Sequence, residues 1–477
     1  MMQKPNIVVI VSDTLRTAHL GCYGNPNIQT PNIDAFANRA MLFSRAYPES
    51  LPTIPVRRAL HTGRRAYPFR NYQPVKWDIV YLPGWQAMDN DEDTLAENLA
   101  AVGYQTGFVT DTLPYFAPGF NFRRGFWQWE FIRGQQQDRW RSPFSVSKER
   151  LSRYGNPEEL RKNIHSLVPM HLANTAHVKD ESDTSTARTF KWAMDFLEDN
   201  QAGQPFYLMV DCFDPHEPWE SPEKYFRLYD DNSDYKGRRI VHCGYGPADQ
   251  FGYTAEEIEY VKAQYCGLVT LVDTWFGKFM AKLDELGLAE NTAVFFISDH
   301  GTNFCDNPRN VIGKPANAMY PGVMHLPLLI RLPDETGSGQ VNDALVYNLD
   351  LTATVYELAG LHSNQGIDGE SLMPLLTDKG LWEPRDYLTC RYANSLCYID
   401  EQNWILTNID GQPQEIFDLN SDTNCQNDVK DKMDSAVFER AWQCLLQDAG
   451  GGFPDYRERR QTDAIGQPQI SPKVKEK

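Results

Sequence analysis

Short apolar runs rich in β-branched residues recur along this chain, at Ile7–Val11, Thr106–Thr110, Phe206–Val210, Ala293–Ile297 and Leu328–Ile330. None alternates with polar residues, so each run reads as a strand buried on both faces, the pattern of a parallel sheet covered on both sides. Between the runs lie stretches with apolar residues at three-and-four spacing, at 93–102, 184–199 and 254–287. The last opens with Thr254 followed by Glu256 and Glu257, acids that suit the positive end of a helix. Strand–helix alternation of this kind predicts an α/β fold with a mostly parallel central sheet flanked by helices. In such folds the working residues sit just past the C-terminal ends of the strands.

At 477 residues the chain exceeds what one hydrophobic core ordinarily supports. The strand–helix pattern changes near residue 365. Tyr387–Tyr392, Leu396–Ile399 and Trp404–Ile409 read as short strands joined by tight turns, and a helix is expected near 434–448. The expected organisation is a catalytic α/β domain over 1–365, a small α+β domain over 366–449 and a polar tail over 450–477. The tail is rich in Gly, Pro and charge, so it is expected either to be disordered or to dock on another subunit, making a homo-oligomer one option. Residues 113–182 are crowded with aromatics and arginines. They read as an aromatic-stapled excursion with its own small core, or as a lid over the site that sets substrate choice.

The formal net charge is −18, which argues against nucleic acid as a partner but leaves a small anionic substrate open, since a local cationic cluster can invert the field in a cleft. Nine cysteines lack disulfide or metal spacing and are expected as free thiols. No apolar stretch reaches the length of a membrane span or a signal segment, so a cytoplasmic protein is expected, with no membrane partner.

Five constellations carry chemistry. Asp13 follows the first predicted strand, where an acid either binds a metal or caps the next turn. Asp299 and His300 follow the fourth, in Ser298-Asp299-His300-Gly301, and offer one hard and one borderline ligand suited to Mn, Zn, Ca or Mg. Gly301 is expected to allow a sharp turn beneath them. Thr53 stands before a predicted helix, and Arg57 lies one turn further along the same face. The pair reads as an N-cap with a surface charge, or as a hydroxyl and a guanidinium arranged around an anion. His216, between Pro215 and Pro218, is either a structural histidine in a rigid turn or a general acid. Lys314 is either solvated or a clamp on an oxyanion. His325, before the last strand, is an extra substrate contact or a structural residue.

Taken in order, these segments resemble the sulfatase family of the alkaline phosphatase superfamily, and the resemblance spans nearly the whole chain. The opening NIVVIVSDTLRTAHLGCYGN, the SDHG at Asp299, the later Lys314, GIDGESLMPLL and QEIFDLNSDTNCQND all sit in family order. The family signature, Cys or Ser followed by x-Pro-x-Arg-x-x-Leu-x-Thr-Gly-Arg, is matched from Thr53 through Pro55, Arg57, Leu60, Thr62 and Gly63 to Arg64. The resemblance implies one divalent metal ion held by Asp13, Asp299, His300 and the Thr53 oxygen. It further implies a nucleophile at Thr53 steadied by Arg57, contacts from His216 and Lys314 to the transferred and leaving groups, and a substrate contact at Asn71.

The chain departs from the family in three places. Thr14 replaces a second acid. The Lys-x-His pair expected after the Gly103-Tyr104-Gln105-Thr106 segment is absent, and Asp111 and Thr112 stand there. Thr53 is neither Cys nor Ser, so formylglycine is not available, and an ordinary Thr53 alkoxide is expected instead. That chemistry suits phosphorus, so a phosphodiester, phosphonate ester or phosphate ester is at least as well matched as a sulfate ester. A sulfatase that works without formylglycine and a catalytically silent anion-binding relative are the alternatives.

Overall fold

The computed structural model describes residues 4–73, 80, 82–117, 119–230, 235–361 and 366–457. Its main sheet has nine strands. From one edge these run Val341–Asn342, Met41–Tyr47, Leu326–Arg331, Thr292–Ile297, Asn6–Ser12, Phe206–Cys212, Gln105–Thr110 and Gln128–Phe131, and Val346–Tyr347 pairs alongside Met41–Tyr47. All pairings are parallel except those made by Leu326–Arg331, which runs antiparallel to both its neighbours. The expected strands are all present. The sequence reading omitted Met41–Tyr47, whose central Ser44 and Arg45 interrupt the apolar run.

The central strand shows why its residues are continuously apolar. Ile7, Val9 and Val11 enter one core, while Val8 and Ile10 enter the core on the opposite face. On that second face Ser185–Asp199 packs against the long Ala255–Glu285 helix. The long helix begins where expected: Thr254 accepts from the Glu257 amide, and the Glu257 carboxylate accepts from the Thr254 amide. From the central strand the chain passes first to Met41–Tyr47 on one side and then to Gln105–Thr110 on the other. That reversal opens a crevice at the strand's C-terminal end.

A second sheet has five strands, ordered Pro413–Asp418, Asn403–Asn408, Ser395–Asp400, Tyr387–Tyr392 and Ser50–Leu51. The last of these comes from the N-terminal part of the chain and lies just before Thr53. Leu388, Cys390, Trp404 and Phe417 from this sheet share one core with Val9 and Val11 of the main sheet. The C-terminal α+β unit is thus a separate sheet joined to the first by common packing, and Ser435–Asp448 packs on it as a second apolar layer. The start of the polar tail docks on its own chain. Tyr456 donates to the Phe69 carbonyl at 2.6 Å, and Arg391 donates to the Pro454 carbonyl at 2.8 Å. The rest of the expected tail, 458–477, lies outside the described residues.

The 113–182 excursion packs into the main core, builds a small core of its own and reaches the cavity. Phe120, Phe122 and Phe126 fill the main core, and Val146, Leu151, Leu172 and Ala173 form a small core of their own. Pro114, Gln136, Gln137 and Leu167 meanwhile line the cavity that holds Thr53. All nine cysteines are free thiols, including Cys390 and Cys397, which face each other across the Tyr387–Tyr392/Ser395–Asp400 hairpin. Among the described residues no helix is long and apolar enough to cross a membrane.

Candidate active site and metal centre

Register brings the strand-end acids together. Val11 lies opposite both Asp211 and Ile297, so Asp13 and Asp299, each two residues further on, leave the sheet at one level, with Asp211 at the end of the neighbouring strand just below them. The turn after the central strand is tight: the Asp13 amide donates to the Cys212 carbonyl at 2.9 Å, and Thr14 takes a left-handed φ of 63°. That conformation sends the Thr14 amide to Asp299 Oδ1 at 3.0 Å and its hydroxyl to Asp13 Oδ1 at 2.7 Å. Thr14, where the family more often has a second acid, therefore orients Asp13. On the neighbouring strand, Ser298 Oγ accepts from the Leu15 amide at 3.0 Å and donates to the His300 carbonyl at 2.8 Å, tying the two loops together. Gly301 is needed for close approach, because a β-carbon there would collide with the Gly322 carbonyl and Arg16.

Asp13, Asp299 and His300 are fully buried, and their ligand atoms lie within 4.8 Å of one another. Their chemistry fits a divalent cation. Burial and the neighbouring Asp299 charge push the Asp13 carboxyl well above the usual range, so a positive ion between the two acids would relieve their repulsion. Asp13 Oδ2 accepts no well-aligned hydrogen bond, its near neighbour being the Arg57 guanidinium at 2.9 Å. His300 Nδ1 faces the Gly301 carbonyl at 3.0 Å, and a carbonyl only accepts, so the proton sits on Nδ1 and Nε2 is left as a lone-pair donor. Burial also lowers the His300 pKa to about 4, which keeps the ring neutral as a ligand must be.

The Thr53–Thr62 helix supplies the other half of the site. Thr53 is its first residue, and Gly63 ends it with φ 70°. Thr53 Oγ1 lies 3.2 Å from His300 Nε2 and is nearly buried on the floor of the cavity. Arg57, one turn on, has no exposed surface. Its Nε and Nη2 fork onto Asp211, Nη2 lies 2.9 Å from Asp13 Oδ2, and Nη1 donates to Asp299 Oδ2. Burial alone would disfavour its charge, but Asp211, Asp299 and Asp13 together hold the guanidinium firmly charged. Arg57 thus binds the carboxylates that frame the site.

Above Thr53 opens a cavity of about 540 Å³ lined by Trp85, Phe213, His216, His242, Tyr245, Lys314 and Tyr392, among others. Lys314 Nζ lies 3.0 and 2.8 Å from the Glu217 carboxylate oxygens and 3.3 Å from the Thr14 hydroxyl. His216 stacks on Phe213, with ring centroids 4.2 Å apart. Its Nδ1 meets the Glu217 carbonyl at 2.5 Å, so the ring proton is committed there. Burial lowers its pKa to about 3. The expected general acid is therefore neutral at rest, with Nε2 available to accept.

The structure brings together Asp13, Thr53, Arg57, His216, Asp299, His300 and Lys314. It does not bring Asn71 or His325 to them. Asn71 is exposed, in a left-handed turn with φ 62°, and is not among the residues lining the Thr53 cavity. His325 has both ring nitrogens engaged, Nε2 with the Ser44 carbonyl at 2.6 Å and Nδ1 with Thr17 Oγ1 at 3.3 Å, and it lines a different cavity. The residues that stand in place of the Lys-x-His pair do not face the cavity. Thr112 Oγ1 donates to Asp211 Oδ1 at 2.9 Å, and Asp111 accepts from the Phe213 amide at 2.7 Å, so both support the floor from beneath.

Sequence reasoning missed Asp211, Glu217, His242 and Tyr245. Asp211 had a signal, an acid directly after an apolar run as at Asp13, but the strand was expected to end at Val210 when it continues to Cys212. Glu217 stands beside His216 in the same proline-bounded turn but without a role of its own, and His242 and Tyr245 carry no local signal, since only the fold gathers 217, 242, 245 and 314 around one cavity.

Comparison with known proteins agrees with this geometry. A family profile described as Sulfatase matches residues 5–361. The multifunctional alkaline phosphatase superfamily protein PehA of Trinickia caryophylli is 25% identical, covering 88% of this chain and 90% of that one. The N-acetylglucosamine-6-O-sulfatase of Bacteroides thetaiotaomicron is 22% identical, covering 95% of this chain and 87% of its own. In fold, the chain is similar to the crystal structure of a phosphonate monoester hydrolase of Agrobacterium radiobacter, with a TM-score of 0.71 at 21% identity over 94% of this chain and 95% of that one. With the profile spanning most of its length and the strand-end acids, His300 and the Thr53 helix gathered in one crevice, the chain belongs to the sulfatase family of ester hydrolases.

Proposed function

We propose that this protein hydrolyses phosphodiester or phosphonate ester bonds, or sulfate esters, through an unmodified Thr53 nucleophile. One observation supports the reading above others: Thr53 Oγ1 stands on the cavity floor at the start of a helix, 3.2 Å from His300 Nε2. Asp13, Asp299, His300 and the Thr53 oxygen would hold one divalent ion (Mn, Ca, Zn or Mg), which when bound lowers the pKa of the hydroxyl and withdraws charge from the ester oxygens.

This chain's residues supply the rest. Arg57 keeps the Asp13 and Asp299 carboxylates in place and presents the first turn of the Thr53 helix to the anion. Thr53, its hydroxyl proton released to water, attacks the central atom, its oxygen forming the new ester bond as the bond to the leaving oxygen breaks. Lys314, the ammonium on the cavity wall, gives that oxygen a proton or a hydrogen bond. His216, neutral with Nε2 free, accepts a hydrogen bond from the water that cleaves the Thr53 ester and orients it. The apolar lining from Trp85, Leu82, Phe213 and Tyr392 keeps the cavity dry enough for these charges to act strongly.

The test is turnover of nitrophenyl esters by metal-reconstituted protein, wild type beside Thr53→Ala. Phosphodiester or phosphonate turnover abolished in Thr53→Ala supports the reading. Turnover of sulfate alone favours a sulfatase that works without formylglycine. Metal binding with no turnover of any ester favours a silent anion-binding relative.

A further inference from the structure

One buried acid behind the Thr53 cavity has a carboxylate to which the mechanism above gives no role. Glu217 has no exposed surface. Lys314 Nζ sits 3.0 and 2.8 Å from its two oxygens, and the Tyr245 hydroxyl donates to Oε1. His216 Nδ1 is 3.4 Å from Oε2, and His242 Nε2 is 3.9 Å from Oε1. All four partners line the cavity, while Glu217 stands behind them.

This arrangement settles the charge that a substrate meets. Among the described residues lining the cavity, Lys314 is the only permanent cation, and Glu217 cancels it. Arg57 offers no surplus either, because its guanidinium is shared by Asp13, Asp211 and Asp299. One divalent ion together with Arg57 just balances those three carboxylates. The remaining walls are neutral or apolar: Trp85, Leu82, Leu167, Phe213 and Tyr392. Placing a second negative charge in such a site costs desolvation that no unpaired cation repays.

Resting on the reading of this cavity as the ester-binding site, we propose that Glu217 is a specificity-determining residue. By neutralising Lys314 it selects singly charged esters, such as phosphodiesters, phosphonate monoesters and sulfate monoesters, over doubly charged phosphate monoesters. Removing its charge while keeping its shape frees Lys314 to meet a dianion.

The experiment compares metal-reconstituted wild type with E217Q, K314Q and Y245F at pH 8, in two measurements. The first is kcat/KM on bis(nitrophenyl) phosphate, a monoanion, against nitrophenyl phosphate, a dianion. The second is calorimetric binding of methyl sulfate against inorganic sulfate, which needs no turnover. E217Q is expected to move both ratios toward the dianion by about tenfold or more, the effect of one uncancelled charge in a partly dry site. K314Q, which leaves the carboxylate uncancelled, moves them the opposite way. Y245F, which removes a donor but no charge, leaves them in place. Unchanged ratios in E217Q overturn the proposal, as does an equal shift in Y245F, which would mark a merely structural role. If E217Q does not fold, the sign of the K314Q shift decides. If wild type turns over no ester, the hydrolase reading fails, and the binding ratios alone judge Glu217.

Discussion

Arg57 grips Asp211 with a two-bond fork, Nε to Oδ2 and Nη2 to Oδ1, each 2.8 Å and each without solvent contact. The same guanidinium also touches Asp13 and Asp299, so one side chain joins three strand ends. Arg57→Ala leaves buried carboxylates without their counter-charge. It is expected to cost about 3–5 kcal/mol of stability, as broken buried pairs do. It should also lower kcat by about 10²–10³, as for other preorganised donors. Arg57→Lys keeps the charge but not the fork, and should recover little of either. Urea denaturation and steady-state kinetics measure both, and a wild-type midpoint for Arg57→Ala would contradict the arrangement.

Thr53 is expected to act unmodified. Mass spectrometry of the peptide containing residue 53 should give the mass of ordinary threonine. Thr53→Ser, which keeps an oxygen nucleophile, should retain turnover, and Thr53→Ala should fall to background. Undiminished activity in Thr53→Ala would remove the nucleophile from this position.

Asp13, Asp299 and His300 should bind a divalent ion tightly enough to be seen in stability. At a free ion concentration 100-fold above Kd, binding to the native state alone adds about 2.7 kcal/mol. Melting of chelator-treated protein should therefore rise on adding Mn or Ca, and Asp299→Asn or His300→Ala should abolish that rise. An identical rise in all three proteins would place the ion elsewhere.

Because His216 Nδ1 is committed to the Glu217 carbonyl and burial lowers its pKa to about 3, the ring is neutral across the working range. A histidine general acid would show activity falling on the alkaline side near its ordinary pKa of about 6.5. The expected kcat/KM profile has no such limb between about pH 6 and 8. A clear loss there that disappears in His216→Gln would restore the acid role.

Asp111 predicts a stability change with pH. Burial, and then the nearby Asp214 charge, raise its pKa to about 7. Its folded pKa lies above its unfolded value, so the folded state binds the extra proton. That contribution is whole below about pH 4 and is lost as pH rises to about 7. With burial complete, the loss is of the order of 4 kcal/mol. Asp111→Asn should flatten the stability profile across that window, and an equally sloped profile in the variant would assign the titration to another group.

The sequence alone was enough for the fold class and for the separate candidate ligands. Runs such as Ile7–Val11 must be buried on both faces because neither face offers a polar residue to water, and that forces a covered parallel sheet. The acids at Asp13 and Asp299 were legible because strand ends are where a buried chain first turns toward solvent. What the tertiary structure decided was which charges cancel. Arg57 reads as a surface charge or an anion clamp until register places Asp13, Asp211 and Asp299 around it. Lys314 reads as a free cation until the fold sets Glu217, 97 positions away, against its ammonium, and the tautomer of His216 stays open until its Nδ1–H is seen to donate to the Glu217 carbonyl. Pairings of this kind depend on distances between residues far apart in the chain, and local pattern carries no information about those distances.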